Sequence, residues 1–212
     1  MLAKDIRQWG RWAAMTGGAL LAVNYLFWIG NGISPDRVPA GPESPSLRLA
    51  VAAVALATVL LAIGLAMLLR YAPARLGRAG EFGGWLLVVG FLFWALGAVA
   101  SFLPVVLPRS LVLATPFLTA IGSGFFGLAG ARAAVLPGWV AVAVGGLGPL
   151  GLAVFAVPEL VWGLAGLDVT PAVQVRVMAY AALLVFGAGW VGVGHAASSC
   201  RAARDGTSIS TG

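Results

Sequence analysis

The sequence predicts an all-α, polytopic membrane protein built as a bundle of six transmembrane helices. Hydrophobic residues make up 60% of the chain, charged residues only 9%, and the mean hydropathy is +0.98, a balance that soluble domains do not have. The apolar residues fall into six runs of about 20 residues, the length that crosses a ~30 Å hydrocarbon core at 1.5 Å per residue. The net charge of +6 is spread over the short segments between these runs. It therefore indicates membrane topology and not nucleic-acid binding.

The first span is predicted over residues 11–30, which end in the aromatic cluster NYLFWIG. Such clusters settle at the headgroup boundary. Ahead of it, Leu2, Ile6 and Trp9 recur at helical spacing among charged residues, which predicts a short interfacial helix. A cleaved signal within residues 1–40 is the alternative, although the apolar run is longer than a typical signal core.

The remaining spans follow from the same hydropathy pattern. Residues 31–48 hold four prolines and alternating charges, which favours an irregular solvated loop. Further apolar runs predict spans over residues 49–69, 85–106, 111–131, 139–162 and 171–196. Residues 1–197 thus form one transmembrane domain, followed by a disordered cytoplasmic tail over 198–212.

Orientation follows from the distribution of Lys and Arg. Nine of the thirteen lie on the side that holds both termini, and an excess of positive charge marks the cytoplasmic side. Arg is abundant and Lys nearly absent beside many Ala, Gly and Val residues, which suggests a GC-rich bacterial genome. We therefore expect an inner (plasma) membrane protein of a bacterial cell, with cytoplasmic N- and C-termini.

Small residues recur every four positions on two spans, a pattern that lets helix backbones approach closely. These rows predict spans four and six to be the central helices of the bundle. Their members are Thr119, Ser123, Gly127 and Ala131 on span four, and Ala188, Gly192 and Ala196 on span six.

A faint repeat relates residues 78–104 to residues 132–158 at an offset of 54. Both stretches run from a basic turn through Gly-Trp into a span that reaches a proline. Duplicated hairpins and chance in a Gly- and Ala-rich chain both explain it, and we favour chance.

Glu159 is the only acidic residue inside a membrane-length run. A carboxylate near hydrocarbon is costly and is by default a functional candidate. Asn24, Tyr25 and Tyr180 fall in the same outer half, so these four side chains could line one polar pocket. Alternatively, Glu159 extends its carboxylate to the nearby headgroups.

The stretch GSGFFGLAGA at residues 122–131 resembles the nucleophile helix of rhomboid intramembrane proteases. In that family a serine precedes a glycine on the fourth of six helices and a histidine lies on the sixth, which would pair Ser123 with His195. The chain departs from the pattern at Ile121, where a glycine is expected, and it has no His or Asn pair on span two. The simpler interpretation makes Ser123 a packing residue.

The back half of the chain also resembles multi-pass membrane proteins of unknown function from GC-rich bacteria. The shared mark is a helix ending in Ala-Arg, followed by Leu-Pro-x-Trp re-entering the membrane, which here is Arg132, Leu136, Pro137 and Trp139. The resemblance implies only a six-helix bundle.

No catalytic, metal or cofactor motif accompanies these features, and the single cysteine, Cys200, excludes an internal disulfide. We therefore expect a non-enzymatic accessory, structural or sensing bundle that binds no cofactor and no nucleic acid. The lipid bilayer is its expected surrounding, with a membrane-protein partner or a second copy as further partners. A small-solute or proton-linked transporter using Glu159 is the first alternative, and an intramembrane hydrolase using Ser123 and His195 is the second.

Overall fold

A computed structural model describes residues 2–32, 45–71, 76–102, 109–165 and 173–206. Within these ranges the chain is helical, with short turns and no strand. The α-helices are α1 (Leu2–Gly32), α2 (Pro45–Tyr71), α3 (Gly77–Ala100), α4 (Arg109–Arg132), α5 (Gly138–Val142), α6 (Gly148–Ala165) and α7 (Val173–Gly206), and a π-helical segment (Ala143–Leu147) joins α5 to α6.

Five of these helices contain stretches long and apolar enough to cross a membrane: Gln8–Gly30, Arg48–Arg70, Gly77–Ala100, Ala114–Arg132 and Gln174–Ala197. A sixth apolar stretch, Gly138–Val154, is shorter, and its helix continues through α6. The prediction of an all-α polytopic bundle of about six helices is confirmed. We refer to α5, the π-helical segment and α6 together as the fifth span.

Several helix ends differ from the predicted ones. The predicted interfacial helix and span one form a single helix, since α1 is continuous from Leu2. Helix α3 begins at Gly77 and ends at Ala100, so it lies earlier in the chain than predicted. Helix α7 continues to Gly206, and the tail predicted as disordered from residue 198 is helical up to that point. Hydropathy marks where a span leaves hydrocarbon, whereas backbone hydrogen bonding carries a helix further into the polar region.

The six spans form a closed ring in which each helix packs against its neighbours in sequence. Contacts join α1 to α2, α2 to α3, α3 to α4, α4 to the fifth span, and the fifth span to α7. The most extensive contact is between α1 and α7, and it closes the ring. The prediction that spans four and six are central is therefore wrong, because both are members of the ring and none of the described helices lies at its centre.

The seam between α1 and α7 depends on glycine. A Cβ atom on Gly18 would lie 2.6 Å from the Gly187 carbonyl oxygen, and one on Gly187 would lie 2.7 Å from the backbone nitrogen of Ala22. Nearer the chain ends, the Arg11 Nε donates a hydrogen bond to the Gly194 carbonyl at 3.3 Å. The two backbones thus touch directly, as small residues permit in membrane bundles.

The predicted rows of small residues lie in different environments. Thr119, Ser123 and Gly127 are buried, whereas Ala131 is exposed. A Cβ atom on Gly127 would lie 2.6 Å from the Cα of Gly145 in the π-helical segment. On α7, Gly192 packs against α5 and Ala188 is half-buried. The row on span four therefore forms an interface with the fifth span over only part of its length.

A cluster of aromatic side chains fills the ring near mid-height. Trp190 on α7 stacks on Phe126 with ring centroids 5.8 Å apart, and Phe91 and Phe186 meet it edge-on at 5.5 Å and 6.1 Å. Three of the four rings, those of Trp190, Phe91 and Phe186, are fully buried. We call these four residues the aromatic plug.

The fifth span is irregular where it meets α4. In the π-helical segment the Gly148 N–H donates to the Ala143 carbonyl, one residue further back than in an α-helix. Pro149 follows directly and has no N–H to donate, which is tolerated in the first turn of α6. The wider turn brings Gly145 against Gly127 and sets the spacing of the two helices.

The turn between α4 and α5 carries the Leu-Pro-x-Trp sequence. Ala134 has a φ of 51°, and the N–H groups of Val135 and Leu136 both donate to the Gly130 carbonyl. This left-handed cap satisfies carbonyls at the helix end. Leu136 is buried against Gly130, so the motif anchors the turn to the bundle.

Candidate functional site

A partly open chamber of about 520 Å³ lies within the ring on one side of the aromatic plug. All six spans contribute to its wall. The lining residues are Tyr25 and Trp28 from α1, Ala50, Val51 and Val54 from α2, Phe93, Trp94, Gly97, Ala98 and Ser101 from α3 and its end, Thr115 and Pro116 from α4, Leu152 from α6, and Tyr180 and Leu183 from α7. We call this cavity the axial chamber.

The axial chamber lies in the half of the ring away from the chain termini. Its lining comes from the later parts of α1 and α3 and from the earlier parts of α2, α4 and α7. Leu183 lines it, and Phe186 of the plug follows one helical turn later. The plug therefore closes the chamber on the side of the termini.

Three near-parallel rings form one wall of the chamber. Tyr180 stacks on Tyr25 with centroids 6.2 Å apart and planes inclined by 27°, and on Trp28 at 6.2 Å and 24°. Phe93 and Trp94 line the chamber from α3. Helix α3 packs against α2 and α4, whereas α7 packs against α1 and the fifth span, so α3 and α7 lie on opposite sides of the ring. We call Tyr25, Trp28 and Tyr180 the aromatic wall.

The polar groups of the chamber are few, and two of them form hydrogen bonds within their own helices. The Ser101 hydroxyl donates to the Ala98 carbonyl at 2.6 Å, and the Thr115 carbonyl accepts a hydrogen bond from the Thr119 hydroxyl at 2.8 Å. No charged side chain occurs among the described lining residues. A site of this composition favours an uncharged, largely apolar molecule.

Of the four side chains predicted to form a polar pocket, the structure places Tyr25 and Tyr180 together in the aromatic wall. Asn24 is buried beside the chamber, where its amide Nδ2 donates to the Ala50 carbonyl at 2.7 Å. Its Oδ1 is sealed from solvent and has no hydrogen-bond partner. Glu159 belongs to α6, and its side chain lies outside the described residues. The pocket is thus aromatic and apolar where it is described.

Ser123 and His195 do not form a pair. The Ser123 hydroxyl is fully buried and has no hydrogen-bond partner, whereas His195 is exposed on α7. The Ser123 carbonyl lies beside Gly145 of the π-helical segment. Helix α7 meets the same segment at Gly189, which lies beside Val144. His195 is six residues further along α7, roughly 9 Å along the axis. Within the described residues there is also no cluster of three or more His, Cys, Asp or Glu side chains able to hold a metal ion.

Four chamber residues were not predicted from the sequence: Trp28, Phe93, Trp94 and Gly97. Trp28 was assigned to an interfacial aromatic belt, a role that hydropathy cannot distinguish from a place in the lining. Gly97 belonged to the proposed repeat with Gly151, but a Cβ on Gly97 would meet nothing within 4 Å, whereas one on Gly151 would meet Leu183 at 2.7 Å. Such different surroundings favour chance as the source of that match.

The fold and site define the class of the protein as a membrane-embedded ring of six helices with an apolar chamber in one half. Comparison of the chain with family models, curated proteins and solved structures gives no match.

Proposed function

We propose that this protein is a non-enzymatic membrane bundle that binds a small uncharged molecule in its axial chamber, in an accessory or sensing role. The observation that carries the proposal is the chamber itself, to which every span contributes. Its volume of about 520 Å³ falls within the range of small-molecule pockets, ~300–1,000 Å³. A bundle that served only as a scaffold would be expected to close such a space by packing.

Gly97 allows a direct test, because it lines the chamber and a Cβ there would meet no atom within 4 Å. The Gly97→Leu side chain should project into the chamber and reduce the space for a ligand without forcing helices apart. Gly30→Leu is the matched control, since Gly30 is also helical and open but does not line the chamber.

The measurement is binding of two tritiated hydrocarbon probes, naphthalene and decane, to the protein in lipid nanodiscs. We expect the unchanged protein and Gly30→Leu to take up at least one probe beyond the level of Gly97→Leu nanodiscs. Because partition into lipid is common to all three samples, the difference isolates the chamber. Equal uptake of both probes by all three would overturn the proposal.

A transporter is the second candidate, favoured by the contribution of α6 to the chamber. Leu152 lines it, and Glu159 follows two helical turns later in the same helix. The aromatic plug stands between the chamber and the side of the termini, so passage would need its rings to move. Glu159→Gln should abolish pH-dependent uptake into vesicles if this carboxyl couples transport, and should leave probe binding unchanged if the protein only binds.

We further propose that the protein resides in a bacterial inner membrane with both termini in the cytoplasm. Four tryptophans are exposed at or near the helix starts on the side of the termini, Trp9, Trp12, Trp85 and Trp139. Tryptophans gather at headgroup level. Together with the excess of Arg on that side, they support this side as the cytoplasmic interface.

A further inference from the structure

We infer that the ligand of the axial chamber carries a flat, uncharged ring system and that the aromatic wall selects it over an open chain of equal size. This inference rests on the proposed binding function and adds the chemical class of the ligand. It depends on the arrangement of the rings, which the volume of the chamber alone does not determine.

The aromatic wall is built from the two helices that share the most extensive contact of the ring, α1 and α7. Tyr25 and Trp28 lie three residues apart on α1, and Tyr180 of α7 stacks on both, with planes inclined by 27° and 24°. The glycine contacts between Gly18 and Gly187 bring these helices close together, and the three rings pack against one another across the same seam. All three also line the chamber.

A preorganised wall of near-parallel rings distinguishes between ligands of equal hydrophobicity. A flat ring can stack on it in the offset geometry that aromatic pairs prefer, at centroid distances of 4.5–7 Å. An open chain gains only ordinary dispersion contacts and loses the freedom of several torsions on binding. Phe93 and Trp94 on the opposite wall offer further ring surface.

Charged ring compounds are excluded by the same lining. The described lining residues hold no charged side chain, and the Ser101 hydroxyl already donates to a backbone carbonyl. An anion moved into such surroundings would lose its hydration without gaining a partner, and a cation would gain only aromatic ring faces, with no carboxylate among the described lining residues to neutralise it. The class is therefore a neutral one of two or three rings, for which a volume of about 520 Å³ leaves room.

The test compares naphthalene with decane, two uncharged probes of ten carbons each, in nanodiscs that carry the full chain. Each affinity is taken relative to the uptake by Gly97→Leu nanodiscs, which corrects for partition into lipid. We expect naphthalene to bind about threefold to tenfold more tightly than decane, the range that one aromatic stacking contact supplies.

Substitutions in the wall decide whether the rings cause the preference. Tyr180→Leu should remove the preference by weakening naphthalene binding more than decane binding, and Tyr180→Phe, which keeps the ring, should retain it. Trp28→Leu serves as a second variant, because Trp28 is only half-buried and its loss disturbs the core less.

The outcomes separate this inference from the function on which it rests. Decane binding as tightly as naphthalene, or a preference that survives both Tyr180→Leu and Trp28→Leu, would overturn the ring class and leave a general apolar chamber. Failure of both probes to bind beyond the Gly97→Leu level would instead overturn the binding function itself.

Discussion

Gly18→Ala should weaken the seam between α1 and α7. The added Cβ would lie 2.6 Å from the Gly187 carbonyl oxygen, 2.8 Å from the Trp190 Cβ and 2.9 Å from the Val191 nitrogen. Two of these atoms belong to the backbone of α7, so no side chain can rotate away. Ordinary contact begins near 3.4 Å, and the helices must therefore separate by roughly 0.8 Å, which breaks close contacts along the seam.

The size of the effect follows from two opposing terms. Overpacking a well-packed interface costs about 1–3 kcal/mol, whereas replacing Gly by Ala within a helix gains up to about 1 kcal/mol. The matched control Gly30→Ala receives the gain alone, since no atom lies within 4 Å of its new Cβ. We therefore expect Gly18→Ala to be less stable than Gly30→Ala by about 1–3 kcal/mol, since the helix gain is common to both variants.

Thermal unfolding of the purified protein in detergent provides the assay. For a chain of this length, 1 kcal/mol corresponds to a shift of about 2–4 °C in Tm, so the two variants should differ by several degrees. Equal Tm values would refute the reasoning, because they would mean that α1 and α7 are not in backbone contact at Gly18.

Three further predictions follow from the packing and the topology. Gly127→Leu should destabilise the bundle by about 1–3 kcal/mol or more, because the new side chain forces α4 away from the π-helical segment. The control Ala131→Leu lies on the same row but is exposed and should not destabilise it. Equal Tm values for the two variants would show that Gly127 does not lie in this interface. Trp190→Phe should cost clearly less than Trp190→Ala, because it removes a buried Nε1–H that has no acceptor and leaves the smaller cavity. Trp190→Ala should cost about 3–5 kcal/mol, and similar losses in both variants would contradict the packing of the aromatic plug. In a Cys200→Ser background, Pro39→Cys should react with an impermeant thiol reagent on intact cells and Ala79→Cys only after lysis, and the reverse pattern would contradict the orientation.

The six spans could be predicted because crossing a bilayer needs a long apolar run, and the sequence records each run directly. Tyr25 and Tyr180 were grouped correctly in one half because their positions along the spans fix their depth. Depth alone does not say which side of a helix faces the interior of the ring. Lipid-facing residues such as Leu26 and core residues such as Leu21 are equally apolar, so hydropathy gives no direction.

The closure of the ring could not be predicted for a related reason. The contact of Gly18 with Gly187 joins residues at opposite ends of the chain, and no local pattern states which glycines will meet. Small residues do mark close helix contacts in this ring, but the rows on spans four and six did not identify the main one. Ala131 of the first row is exposed, whereas Gly18, which belongs to neither row, lies in the contact between α1 and α7. The π-helical segment could not be predicted from the sequence either, because two glycines followed by a proline are compatible with a kink, a turn or a wider helical turn.

The most direct measurement of the closed ring is a disulfide between its first and last helices. In a Cys200→Ser background with a protease site inserted between residues 72 and 75, Met15→Cys is combined with Gly194→Cys, because a Cβ at residue 194 would lie 2.5 Å from the Met15 Cγ. The same Cβ would lie 2.9 Å from the Arg11 carbonyl oxygen, so the helices must separate slightly there, and this separation keeps the two residues within disulfide reach. After mild oxidation and cleavage, the two fragments should run as one band without reductant and as two bands with it. The pair Met15→Cys with Ala129→Cys, which spans the ring from α1 to α4, should give two bands in both cases. Separate fragments for the first pair, or equal linkage for both pairs, would contradict the ring.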